Sequence, residues 1–304
     1  MTFLPSVLGG ALVALILRDI FHTLFHPAGQ GGLSRLILVG TWRTARRLGG
    51  PRRLAELAGP LGLVAVIAAW FGGVVLGGAL VYWPHMPDAF SYAAGLHPAA
   101  RDDFLDAVYL SLTTTTTLGF GDIVPTAGWL RAAAPLQAMI GFTLLTAAVS
   151  WVLQVYPALN RRRTLATRLT ALERSGVHAA LRDADSPVAA LLLQELAGRV
   201  AQARVDLTQY AETYYFRAED PRSSLPAALP YALDLADIGE RSQRGDLRWA
   251  AATLACALAD LTELVGRQFL GIEGSVEEVL AAYAADHGES ALLERHSDEP
   301  GDVG

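Results

Sequence analysis

Apolar residues gather in three long runs, and the intervals between them are polar, glycine-bearing or rich in arginine. The first run occupies residues 3–17 and continues through Arg18-Asp19-Ile20-Phe21-His22-Thr23-Leu24-Phe25. A run of about 20 residues matches the thickness of a bilayer when helical. A signal peptide carries positive charge first and ends in small residues, and neither holds here. Residues 61–83 form a second run, nearly free of charge and closed by Tyr82-Trp83-Pro84, with glycines at 72, 73, 77 and 78 that permit close helix approach. The third run covers residues 129–157 and ends at Tyr156-Pro157.

The intervals have patterns of their own. Gly29-Gln30-Gly31-Gly32 marks a turn. Residues 33–48 predict an amphipathic helix with Leu33, Leu36 and Ile37 on one side, an interruption at Gly40, and Arg35, Arg43, Arg46 and Arg47 on the other. That pattern suits a helix lying in the membrane surface with Trp42 among the headgroups. Residues 85–101 read as an exposed linker. Asp102-Asp103-Phe104 then opens a helix too short to cross a bilayer, with either aspartate as its cap.

Past residue 164 the pattern becomes that of a water-soluble domain. Helical spacing at 187–217 places Leu191, Leu192, Leu196, Val200 and Leu207 on one stripe leading to Tyr210, Tyr214 and Tyr215. Further helices are predicted over 228–240, 246–270 and 275–284, with 286–304 frayed. The fold expectation is an all-α membrane protein: an N-terminal transmembrane helix (1–28), a cytoplasmic amphipathic linker (29–58), a membrane domain (59–160) and an all-helical C-terminal domain (161–304).

Composition changes this picture little. The 52% hydrophobic content averages two unlike halves, and the net charge of −6 hides arginines near the membrane and carboxylates toward the C-terminus. Cys256 is the single cysteine, so no intrachain disulfide or cysteine-based metal site is possible. His22 and His26 lie four apart but lack a third ligand, so helix-end packing is the better reading than metal. No constellation of carboxylates and histidines suggests an enzyme. The basic 33–48 segment lies between membrane runs, which argues against nucleic acid. Arg18 and Asp19 are read as sitting near an interface, the arginine snorkelling.

The remaining stretch is Thr-Thr-Thr-Thr-Thr-Leu-Gly-Phe-Gly-Asp at 113–122. Its core, Thr117-Leu118-Gly119-Phe120-Gly121, resembles the selectivity filter of the potassium channel family, two-transmembrane pore-domain type. The resemblance covers roughly residues 55–160. It implies that the carbonyls of Thr117, Leu118, Gly119 and Phe120, with the Thr117 hydroxyl, replace the hydration shell of K+ as permeant ion. Gly119 and Gly121 supply the backbone freedom to turn successive carbonyls one way. Tyr109, Thr113, Thr116 and Asp122 are the expected filter support and outer mouth. Phe120 lacks the hydroxyl that many relatives bond to their pore helix, so the filter is expected to be held more by packing. Leu118 stands where valine or isoleucine is usual.

In the third run, Gly141 falls where relatives place a gating hinge, although a glycine also serves close packing. Thr143, Thr146, Ser150 and Gln154 share one face. Such hydroxyls either satisfy their own backbone or wet a cavity wall, and Gln154 favours the wall.

These readings imply a potassium-selective homotetrameric channel of the plasma membrane, bacterial inner membrane in type, embedded in lipid and needing no organic cofactor. Alternatives are a weakly selective cation channel and a non-conducting receptor or scaffold. Arginine clusters at 43–53 and 161–168 place those segments and the C-terminus in the cytoplasm and the N-terminus outside. No Gly-x-Gly-x-x-Gly follows a strand, so the C-terminal domain is not expected to bind nucleotide. Its ligand or partner is not named by the sequence.

Overall fold

The computed structural model describes residues 3–25, 31–47, 56–98, 101–182 and 188–289. His26 and residues 290–304 lie outside them. The elements are α1 (Phe3–Phe25), α2 (Gly32–Arg47), α3 (Ala58–Tyr82), β1 (Phe90–Tyr92), α4 (Phe104–Thr115), β2 (Ile123–Pro125), α5 (Gly128–Arg174), α6 (Val177–Arg182), α7 (Ala189–Gln209), α8 (Leu225–Glu240), α9 (Gly245–Val265) and α10 (Val276–Asp286). The fold class is all-α, with one two-stranded antiparallel pair. Two compact units divide the described residues: one within 1–41 and 60–154, the other within 42–59 and 155–304. The linker expected at 29–58 is thus shared between them.

In the first unit α1 packs along α3 through small residues. A side chain at Gly9 would meet the Gly77 carbonyl at 2.4 Å, so the backbones touch where any larger residue would part them. The start of α1 reaches the end of α3, where Ser6 Oγ donates to the Val81 carbonyl. Asp19 of α1 finds its partners on α3 and at the start of α2. It is buried and accepts from Leu33 N (2.9 Å), Ser34 N (3.2 Å), Ser34 Oγ (2.6 Å) and Trp70 Nε1 (2.9 Å). The carboxylate therefore satisfies the free amides at the start of α2 and meets the positive end of that helix. Arg18, its neighbour, is exposed.

Residues 85–101 are not merely a linker. Within them β1 pairs with β2 in the register Phe90–Pro125, Ser91–Val124 and Tyr92–Ile123. Phe90, Ile123, Tyr82, Ala107, Leu110 and Leu130 form one buried cluster joining the strand pair to α3, α4 and α5. Each large side chain so buried contributes about 1.5–3 kcal/mol. The helix carrying the third apolar run does not stop at Pro157. It continues to Arg174, 47 residues in all, or about 70 Å at 1.5 Å per residue.

The second unit is a helical bundle. The apolar face of α9, with Leu247, Ala250, Leu254, Leu258 and Leu261, is fully buried and packs on α7 and α8. Among the described residues, four helices are long and apolar enough to cross a membrane by length and composition, and α9 with its following turn is the fourth. Its apolar face is already occupied by protein. Of the three arginines after the third run, Arg161 makes a paired contact with the buried Asp206 (2.8 and 2.6 Å), and Arg162 is buried, donating to the carbonyls of Thr213 and Phe216.

Trp42 is not a headgroup anchor. It is buried against Tyr214, Tyr215 and His287, and its Nε1 donates to Asp286 (3.0 Å). Asp286 also accepts from the Tyr214 hydroxyl (2.8 Å) and pairs with Arg46. Residues 286–289, expected to fray, thus include part of this core. His287 places Nε2 2.9 Å from the Tyr214 carbonyl and Nδ1 3.1 Å from the Tyr283 carbonyl. Burial, then the Arg162 charge, push its pKa down to about 4.

Candidate functional site

Asp103 caps α4, its carboxylate accepting from Asp106 N at 2.9 Å. This helix ends in threonines, which are weak helix formers. Here their hydroxyls fold back on the helix: Thr113 Oγ1 donates to Leu110 O, Thr115 to Ser111 O and Thr116 to Leu112 O. Thr113 is buried and Thr116 exposed.

Beyond α4 the backbone changes hand at alternate residues. Thr117, Gly119 and Gly121 have φ of 58°, 44° and 75°, whereas Leu118 and Phe120 between them do not enter the positive region. The amides of Leu118 (2.9 Å) and Gly119 (3.3 Å) both donate to the Thr113 carbonyl. Consecutive amides in such a conformation cradle an oxygen, and these two face the end of α4. Glycine accepts this conformation freely. Thr117 is β-branched and does not, so its backbone is strained, as residues at functional sites often are. Residues 117–121 are all exposed in the single chain, with Leu118 at 57% and Phe120 at 67%.

The outer end is tied down in two ways. Tyr109 Oη donates to Asp122 Oδ2 at 2.8 Å, and Ala93 N donates to the Asp122 carbonyl at 2.8 Å. With no Phe120 hydroxyl to bond the short helix, packing is expected to carry more of the support, and Tyr109 and Asp122 are among the residues expected to assist it. A different hydrogen bond, from the same short helix, reaches the residue after the segment.

On α5, a side chain at Gly141 would meet the Thr115 carbonyl at 2.0 Å. The absent side chain lets this helix lie directly against the end of α4, and α5 is helical through the position. Thr143, Thr146, Ser150 and Gln154 are exposed in the single chain, and Thr146 Oγ1 donates to Phe142 O. A polar cluster that the sequence reading passed over lies nearby. Gln137 on α5 is buried with Ser111 and Thr115 of α4 and Tyr82 of α3. Its signal was a lone amide inside an apolar run. Among the described residues, no group of three or more His, Cys, Asp or Glu is placed to hold a metal ion.

An exposed segment with positive φ at alternate residues, backed by a short helix, thus stands between two membrane-length helices. Residues 69–156 match the ion-channel family. The match takes in most of α3, all of α4, the 117–121 segment and α5 as far as Tyr156. The chain is also 26% identical over 166 residues to the uncharacterized membrane protein YdjJ of Bacillus subtilis (strain 168). That similarity covers 54% of this chain and 48% of the relative, so the chain spans about half the length of the curated relative it matches. No solved structure matches it. The ion-channel match and the apolar helices make this an integral membrane protein.

Proposed function

We propose that four copies of this chain assemble around one axis as a passive, potassium-selective channel. The observation that supports the reading is the positive φ at Thr117, Gly119 and Gly121; in this reading the carbonyls of residues 117–120 turn to one side. One chain supplies one wall of such a site, and a ring of four walls replaces the hydration shell of a dehydrated cation. The exposed Leu118 and Phe120 side chains then pack behind the filter in the ring rather than face lipid. Irregular backbone at membrane depth is tolerable only where it lines such a pore and is backed by protein.

The arginine distribution supports a cytoplasmic C-terminus and an N-terminus on the side of the filter mouth, which agrees with α1 beginning beside the end of α3. The helical second unit then acts on assembly or opening and does not form the pore. Reconstitution of the full chain in liposomes, with K+ and Na+ flux compared, tests the reading. Strong preference for K+ is the expected result. Equal fluxes favour a weakly selective cation channel, and well-folded tetramers without flux under opening and closing conditions favour a receptor or scaffold.

A further inference from the structure

We infer that Gln137 is a positioning residue that sets the register of α4 against its neighbours, and so holds the 117–121 carbonyls at the spacing ion discrimination needs. The inference rests on the potassium-channel reading and names a residue of that site which contacts no ion.

The hydrogen-bond directions around Gln137 leave a single arrangement. Ser111 Oγ donates to the Val75 carbonyl of α3 (2.6 Å), and Thr115 Oγ1 donates to the Ser111 carbonyl (2.7 Å). Each hydroxyl has one proton, already committed, so each must accept from Gln137 Nε2, at 2.7 and 2.8 Å. Nε2 also lies 3.2 Å from the Ser111 carbonyl. On the other side Oε1 accepts from the Tyr82 hydroxyl at 2.6 Å. Turning the amide over would set its oxygen against two hydroxyls with no proton to give. One orientation survives, and it links α3, α4 and α5 at one point.

Gly78 makes room for the amide, since a side chain there would meet Nε2 at 2.3 Å. The cluster is buried, so a partner removed leaves polar atoms without water to replace it. Thr115 stands two residues before Thr117, and its carbonyl lies on Gly141. A shift of α4 against α5 therefore moves the Thr113 carbonyl that grips the amides of Leu118 and Gly119.

The test uses the full chain in liposomes, with assembly verified by mass and the K+/Na+ permeability ratio as the readout. Gln137→Leu should lower the ratio by roughly tenfold, the scale of unsatisfied buried hydrogen-bonding groups. Tyr82→Phe, which removes one bond, should lower it less. Val66→Ala, a fully buried α3 position outside the cluster, should lower thermal stability and leave the ratio unchanged. An unchanged ratio in Gln137→Leu overturns the inference. Should that variant fail to assemble, an unchanged ratio in Tyr82→Phe overturns it equally. A Val66→Ala ratio that falls as far as that of Gln137→Leu also overturns it, because the effect is then generic loosening. A wild type without discrimination overturns the potassium reading and this inference together, whereas a selective wild type with indifferent variants overturns the inference alone.

Discussion

The Tyr109 hydroxyl and the Asp122 carboxylate meet at 2.8 Å, joining the middle of α4 to the residue just past the 117–121 segment. A hydrogen bond to a charged group contributes about 1.5–3 kcal/mol. Tyr109→Phe should therefore loosen the outer mouth and lower K+ selectivity several-fold without preventing assembly. Asp122→Asn keeps an oxygen to accept the bond and should be milder than Asp122→Ala. The Tyr109→Phe/Asp122→Ala pair should be no worse than Asp122→Ala alone. Additive losses in flux recordings would show that the two residues act separately.

Gly141→Ala should be severe. Its added carbon falls 2.0 Å from the Thr115 carbonyl, which neither backbone can yield without parting α4 from α5. Overpacking of this kind costs about 1–3 kcal/mol or more. The expected outcome is a less stable assembly in thermal melts, whether the channel is open or closed. A variant with normal stability and altered opening alone would assign the glycine to hinge bending instead.

In the second unit Asp286 gathers Trp42 Nε1, the Tyr214 hydroxyl and Arg46. Asp286→Ala leaves two buried donors without their acceptor, at about 1–3 kcal/mol each. A fall in the melting temperature of the full chain is expected. Trp42→Phe keeps the ring and loses one bond, so it should cost less. Equal melting temperatures for wild type and Asp286→Ala would show that this carboxylate does not hold the cluster.

His287 gives the same cluster a dependence on pH. Its folded pKa of about 4 lies below the usual 6.5, so between those values the unfolded chain binds more protons. Stability is therefore full above about pH 6.5 and falls as the pH drops toward 4, by about 3 kcal/mol at most. Thermal melts from pH 7 to pH 4 should show the loss, and His287→Gln should flatten it. An identical slope in the variant would place the titration elsewhere.

Much of the architecture is written in local pattern. The three apolar runs, the short capped helix and the C-terminal helices each depend on residues close in sequence, and glycines at 119 and 121 foretell positive φ there. What escaped the reading is joined across distance. Nothing near Asp19 in sequence announces that it caps α2, and nothing near Trp42 announces Tyr214 and Asp286. The Tyr109–Asp122 bond and the Gln137 cluster likewise need the tertiary fold. The positive φ of Thr117, a residue the sequence did single out, escaped for a different reason: β-branched residues resist that conformation, so local preference points the wrong way there.

Selectivity of the reconstituted full chain tests the central claim most directly. In liposomes with opposed K+ and Na+ gradients, the reversal potential should follow K+. Thr117→Ala should weaken this preference, and Gly119→Ala, which forces a side chain onto a backbone at φ 44°, should abolish it. A reversal potential midway between the two ions in the wild type, or one that Gly119→Ala leaves in place, would contradict the account.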